Sequence, residues 1–313
     1  MATILITHGI PDAGFRALEG HRIIIPEPLA AYSMEELAAL IPEADAVVAG
    51  GKLPAEVIRQ GKKLRIIANY GAGYDGVDVR AAAECGVPVT NIPDTVTRDT
   101  AELAIGLMLA VSRRIGEMNL RLRSEPSRSL FGMGRYMGRS LRGQTLGVIG
   151  FGRIGRCTAK LASALGMRVL GYSRRGADAA LCEPVSLEQL LRESDVVSLH
   201  CPLTEETRGL MDRAAFAQMK PGAMLINTSR GAVVDTDALL EALENGRLSG
   251  AGLDVYPNEP EVPERLLTHN NVVCTPHIGT NTVQTRDEMA AACSAQILDA
   301  LAGRRPENIV NGL

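Results

Sequence analysis

Between Thr145 and Arg175 the chain carries a strand, turn, helix and strand in an order that few folds accommodate. Leu146 to Ile149 is a short apolar run with β-branched residues, which predicts a buried parallel strand. Gly150, Gly152 and Gly155 follow at once in G-x-G-x-x-G spacing. Arg153 to Leu165 then places Ile154, Leu161 and Leu165 at helical spacing, and Gly166 is a natural helix stop. Met167 to Tyr172 is a second apolar run. In such a βαβ unit Gly150 permits the tight turn, Gly152 lets the backbone approach a pyrophosphate, and Gly155 lets the helix pack close to the strand. The N–H groups at the helix start then face a dianionic ligand. Glycine turns also arise for structural reasons alone, but the flanking strands and helix supply the context that dinucleotide binding requires.

With 313 residues the chain is long enough for two domains with their own cores. A net charge of -3 and a pI of about 6.0 give no global attraction to nucleic acid or an anionic membrane. The composition is 46% hydrophobic, yet no run approaches a membrane span. The N-terminus lacks a basic segment and a long apolar stretch, so a first strand is expected there rather than a signal peptide. Cys85, Cys157, Cys182, Cys201, Cys274 and Cys293 are scattered, with no C-x-x-C pair and no metal-like spacing. They fit small core residues in a reducing cytoplasm, and no metal is expected. Cys201 beside His200 reads as a strand-end residue rather than a nucleophile, because Pro202 follows directly.

Strand and helix signals alternate on both sides of the central unit. Candidate strands are Thr3–Ile6, Arg22–Ile25, Ala46–Ala49, Leu64–Ala68 and Val87–Thr90, with a helix opened by a capping box of Ser33 and Glu36. Later candidates are Val196–His200, Ala223–Asn227, Gly252–Tyr256 and Val272–Thr275. Such alternation predicts α/β architecture with two doubly wound parallel sheets. A second capping box, Asp99 with Glu102, is expected to open a helix to about Ile115. That helix is apolar on more than one face and so widely buried, partly in a subunit interface. Residues 121–142 read as a basic, irregular arm. A final helix from about Asn281 to Leu301 is expected to return to the first domain, leaving a cleft. The boundaries are 1–97 plus 281–313 for a substrate-binding domain and 98–280 for an inserted Rossmann domain.

Chemistry-bearing residues gather where strands end. Thr228, Ser229 and Arg230 follow one strand, Asp254 ends another, and His277 ends a third, while Glu259 lies in the proline-rich loop 257–263. Arginine would hold a substrate carboxylate and histidine would donate a proton to a new alkoxide. A carboxylate would orient the imidazole. The loop from Asn69 to Asp75 follows a strand, and its glycines around Ala72 suit either an anion-binding nest or an ordinary turn.

The motifs together resemble the D-isomer-specific 2-hydroxyacid dehydrogenase family over essentially the full length. They are Asn69–Gly73, Leu146–Arg156, His200–Thr204, Ile226–Gly231, Gly252–Tyr256 with Glu259-Pro260, and Pro276–Gly279. Within it, Asp99–Arg114 and Thr282–Arg286 resemble the glyoxylate/hydroxypyruvate and hydroxyphenylpyruvate reductase branch. The resemblance implies two flavodoxin-like lobes, a homodimer, and a catalytic set of Arg230, Glu259 and His277. It puts substrate carboxylate on the backbone of Gly71, Ala72 and Gly73, with Leu53 and the arm around Tyr136 near the specificity loops. Cofactor contacts would come from Gly150, Phe151, Gly152, Arg153, Ile154 and Gly155. Thr97, His200, Cys201, Pro202, Thr207, Thr228, Ser229, Arg230, His277 and Gly279 would add to these, with Asp254 at the nicotinamide carboxamide.

Cofactor choice is legible locally. A Rossmann unit that binds NAD has an acid about 20 residues beyond the glycines, on the ribose 2′-OH. Here Ser173, Arg174 and Arg175 occupy that place, with no Asp or Glu before Asp178. A hydroxyl and two guanidinium groups attract a 2′-phosphate. The expectation is therefore NADPH ahead of NADH, with Arg174 as the main ligand. The expected activity is reduction of a small 2-keto acid to the D-2-hydroxy acid. The competing reading is a non-catalytic regulatory protein that senses nicotinamide dinucleotides on the same fold.

Overall fold

The computed structural model describes residues 1–11, 13–124 and 128–313. Residues 125–127 of the expected basic arm lie outside these. The chain divides into two compact units, residues 1–96 with 280–313, and residues 97–279.

The first unit is a five-stranded parallel sheet of β1 (Thr3–Ile6), β2 (Arg22–Ile24), β3 (Ala46–Ala49), β4 (Ile66–Asn69) and β5 (Val89–Thr90). Their order, β2-β1-β3-β4-β5, is the flavodoxin-like one. Period-two alternation sends Ile4, Ile6, Val48, Ile66 and Ala68 to one face, and Leu5, Val47 and Ile67 to the other. Both faces are covered, as a parallel sheet requires. The helix Val283–Leu301 lays Met289, Cys293 and Ile297 on the first face, so the end of the chain completes the core begun by its start.

The second unit is a seven-stranded parallel sheet: β6 (Thr145–Ile149), β7 (Arg168–Tyr172), β8 (Glu183–Pro184), β9 (Val196–Leu199), β10 (Ala223–Asn227), β11 (Leu248–Leu253) and β12 (Val272–Cys274). The order β12-β11-β10-β9-β6-β7-β8 is doubly wound, and it reverses between β6 and β9. Ligands of such sheets bind outside the carboxyl ends of the strands at that reversal. The helix Arg153–Ala164 follows β6, and the helix Thr97–Ser112 lies beside it, burying Ala104, Leu107 and Met108 against Val148, Met224 and Ile226.

Several local expectations are corrected. Asp99 is no N-cap: the helix starts at Thr97, and Glu102 pairs with Arg98 at 2.9 Å. The helix ends at Ser112, and a separate one, Ile115–Ser124, opens the arm. On it the buried Glu117 binds Arg114 at 2.6 Å and Arg121 at 2.9 Å, and both guanidinium groups stack over the Tyr136 ring. Among the described residues of the arm, Arg121 and Tyr136 are thus held by definite contacts. The strand expected at Gly252–Tyr256 runs instead over Leu248–Leu253, because Asp254 and Tyr256 leave the ladder to tie neighbouring loops.

Candidate active site

The glycine turn sits at the sheet reversal. Gly150 has φ +95°, and a Cβ there would stand 2.4 Å from the Cys201 nitrogen and 2.5 Å from the His200 carbonyl carbon. Only glycine tolerates both demands. Gly152 is the N-cap of the following helix, no side chain caps that end, and a Cβ there would meet nothing. Open space before a helix N-terminus suits a pyrophosphate. Beyond the ends of β9 and β10, His200 Nδ1 and Thr228 Oγ1 are buried without a hydrogen-bond partner among the described residues. Orphaned polar atoms beside this turn fit a polar ligand such as a dinucleotide. Burial pushes the His200 pKa down to about 4, so the ring is neutral, and pushes the Cys201 thiol up to about 11, which removes it as a nucleophile.

Arg230, Glu259 and His277 come together from three loops. The Asn227 side chain at the end of β10 accepts from the Ser229 N–H and hydroxyl at 3.0 and 2.8 Å, and donates to the Arg230 carbonyl at 3.0 Å. This amide folds the turn that presents Arg230. A Cβ at Gly231 would lie 1.9 Å from the Tyr256 carbonyl carbon, so only glycine lets the Arg230 turn lie against the loop carrying Glu259. Glu259 Oε1 accepts from the Tyr256 N–H at 2.9 Å, and Oε2 lies 2.7 Å from His277 Nδ1. Partial burial raises the Glu259 pKa, but the hydrogen bonds from His277 and Tyr256 and the charges of His277 and Arg230 outweigh it. The carboxyl is held below its ordinary range.

His277 has φ +53°, a sparsely populated conformation for a residue with a side chain. Asp254 maintains it. Its carbonyl accepts the His277 N–H at 2.9 Å, and its carboxylate accepts the Thr275 hydroxyl at 2.7 Å and the Ile278 and Gly279 N–H groups at 2.8 and 2.9 Å. Burial raises the Asp254 pKa although these bonds favour its charge. The carboxylate expected at the nicotinamide carboxamide is thus engaged in holding the His277 loop. Neither Asn227 nor Thr275 was singled out in the sequence as an individual site residue, since their partners come from the tertiary fold.

At the end of β7, Ser173 starts a turn closed by the Gly176 N–H at 2.9 Å. Arg174 Nη1 lies 3.3 Å from Glu206 Oε2, a partner the sequence reading missed. Thr207, expected at the cofactor, uses its hydroxyl to hold the 202–207 turn, donating to the Pro202 carbonyl at 2.7 Å.

In the first unit the loop after β4 is braced by amides. Asn69 Nδ2 donates to the Gly71 and Gly73 carbonyls at 3.0 Å each, and Asn91 Nδ2 donates to the Ala72 carbonyl at 2.7 Å. Leu53 has no exposed surface and packs in that unit's core, so its side chain offers a substrate no contact. Among the described residues no group of His, Cys, Asp and Glu is placed to hold a metal, and no helix is long and apolar enough to cross a membrane.

A doubly wound domain with this turn and an imidazole–carboxylate pair beside an arginine defines a nicotinamide-dependent dehydrogenase. The family model "D-isomer specific 2-hydroxyacid dehydrogenase, NAD binding domain" matches residues 105–279. A glyoxylate reductase of Thermococcus litoralis is 42% identical, over 98% of this chain and 96% of its own. A hydroxypyruvate reductase of Thermotoga maritima is also 42% identical, over 80% of this chain and 83% of its own. The structure of an NADPH-dependent glyoxylate/hydroxypyruvate reductase from Sinorhizobium meliloti, in complex with NADP and malonate, superposes with a TM-score of 0.88 at 32% identity. It covers 99% of this chain and 96% of that one. This chain belongs to the D-isomer-specific 2-hydroxyacid dehydrogenase family and is an oxidoreductase acting on CH–OH groups with a nicotinamide dinucleotide.

Proposed function

We propose that the protein reduces glyoxylate, hydroxypyruvate or a similarly small 2-keto acid to the D-2-hydroxy acid, with NADPH preferred over NADH. The observation that carries the reading is the 2.7 Å contact between His277 Nδ1 and Glu259 Oε2. A bound nicotinamide dinucleotide supplies the hydride to the carbonyl carbon. His277 donates the Nε2 proton to the carbonyl oxygen, while Glu259 holds the ring through Nδ1 and stabilises the imidazolium. Arg230 pairs with the substrate carboxylate and polarises the carbonyl. Within the first unit, the Ala72 and Gly73 N–H groups suit an anion, on a loop whose carbonyls are turned toward Asn69 and Asn91.

NADPH preference rests on Ser173, Arg174 and Arg175 at the end of β7. It gains support from Asp178, the first acid after the glycines, which is turned to Arg156 at 3.3 Å and to the Ala180 N–H at 3.0 Å. The protein also acts as a homodimer, through a surface that includes the exposed Leu120 and Phe131. No observation favours the sensing alternative.

Purified protein, a panel of 2-keto acids and both cofactors, followed at about 340 nm, test the reading. Turnover of glyoxylate or hydroxypyruvate, faster with NADPH, is the expected result. His277→Ala should lower kcat roughly 10²–10⁴-fold with cofactor affinity nearly intact. No turnover of any acid, or near wild-type turnover in His277→Ala, would refute it.

A further inference from the structure

We infer that Glu206 is a specificity-determining residue that limits how strongly the protein selects a 2′-phosphate. It does so by competing for Arg174. The inference rests on the NADPH reading, in which Arg174 is the phosphate ligand.

Three observations place a fixed carboxylate at that guanidinium. Arg174 Nη1 lies 3.3 Å from Glu206 Oε2, and both side chains are more than half exposed, so the pair is open to an arriving cofactor. The same Oε2 accepts the Thr204 hydroxyl at 2.6 Å. The turn beneath is tied to itself: Thr204 N–H donates to Thr207 Oγ1 at 2.8 Å, and Thr207 Oγ1 donates to the Pro202 carbonyl at 2.7 Å. Thr204 and Glu206's own backbone hydrogen bond, together with the Arg174 charge, hold the carboxyl below its ordinary range. Glu206 is therefore an anion at neutral pH.

Rossmann units that bind NAD place their acid at the end of the second strand, where it repels a 2′-phosphate. This chain has arginine there and receives a carboxylate from the turn after β9 instead. A 2′-phosphate arriving at Arg174 must displace Glu206 or lie beside it, and either lowers the gain. An unphosphorylated ribose meets no such opposition. An exposed pair contributes little because solvent screens it, so removing the charge should change selectivity about two- to fivefold.

The test compares wild type, Glu206→Gln and Arg174→Ala. Isothermal titration calorimetry gives the affinity for adenosine 2′,5′-bisphosphate relative to adenosine 5′-monophosphate, and kinetics give kcat/KM for NADPH relative to NADH. Both ratios should rise about two- to fivefold in Glu206→Gln, and the rise should shrink at high salt. Unchanged or lower ratios in Glu206→Gln, while Arg174→Ala lowers them, overturn the inference and leave the NADPH reading standing. Ratios unmoved by Arg174→Ala overturn the role of Arg174 as phosphate ligand, and with it the competition, while a wild-type ratio at or below one overturns the NADPH reading.

Discussion

At the scale of single residues, His200 shows how an imidazole with a buried, unpaired nitrogen burdens the folded protein. Its Nδ1 is buried and, among the described residues, the ring is bonded only through Nε2, to the Ser198 hydroxyl at 2.9 Å, and desolvation pushes its pKa down to about 4 from an ordinary 6.5. The unfolded chain takes up this proton as pH falls below 6.5, whereas the folded chain does not until about 4. Stability from this group is therefore fully present above 6.5 and lost progressively on acidification to about 4. The whole loss is on the order of 3 kcal/mol. Urea unfolding at a series of pH values should show a shallower acid decline in His200→Asn than in wild type. Equal slopes between pH 6.5 and 4 would mean that His200 titrates normally.

At the scale of elements, loops at strand ends are shaped by side chains that bond their backbone. Asn227 folds the Arg230 turn, Asp254 holds the His277 loop, and Tyr256 donates its hydroxyl to the Leu253 and Thr275 carbonyls at 3.2 and 3.1 Å. The glycine turn is shaped by steric exclusion. At Gly150, alanine must accept φ +95° and a Cβ 2.4 Å from the Cys201 nitrogen, and the obstacle is backbone that cannot swing aside. Gly150→Ala should cost more than the roughly 1 kcal/mol of conformational strain alone. It should also weaken cofactor binding at least tenfold by displacing the helix N-terminus. Calorimetric titration with NADPH and thermal unfolding measure both, and wild-type values for the two would refute the account.

At the scale of the whole molecule, the second unit carries an uncovered apolar surface. Leu120 and Phe131 are 65% and 78% exposed, and Ile115, Leu122, Met133 and Met137 join them within one stretch. Exposed apolar side chains concentrated in this way are what a subunit interface would cover. The Arg114–Glu117–Arg121 cluster, with both arginines over Tyr136, fixes its shape. Sedimentation of the protein at micromolar concentration should give twice the chain mass of 33.3 kDa. Leu120→Glu combined with Phe131→Glu should shift it to the single-chain mass. A wild-type chain that sediments alone would refute the dimer.

What the amino-acid order determined by itself was local. Alternating apolar runs and helical periodicities specified parallel α/β units, since buried strands and amphipathic helices differ in period. The G-x-G-x-x-G turn was legible because Gly155 meets the Gly150 carbonyl within the motif itself, whereas the clash that Gly150 avoids comes from His200 and Cys201, brought beside it by the fold. Arg230 and His277 were legible because they sit at strand ends, where a parallel sheet gathers its chemistry. The tertiary structure decided which distant groups meet. Strand order set Glu206 beside Arg174, buried Leu53 in a core, and gave Asp254 the His277 loop to support. It also laid the His8 ring against Gly50 and Gly51, where a Cβ would stand 2.9 and 2.8 Å from the ring. Such pairings depend on the path of the chain between the partners, and periodicity carries no record of that path.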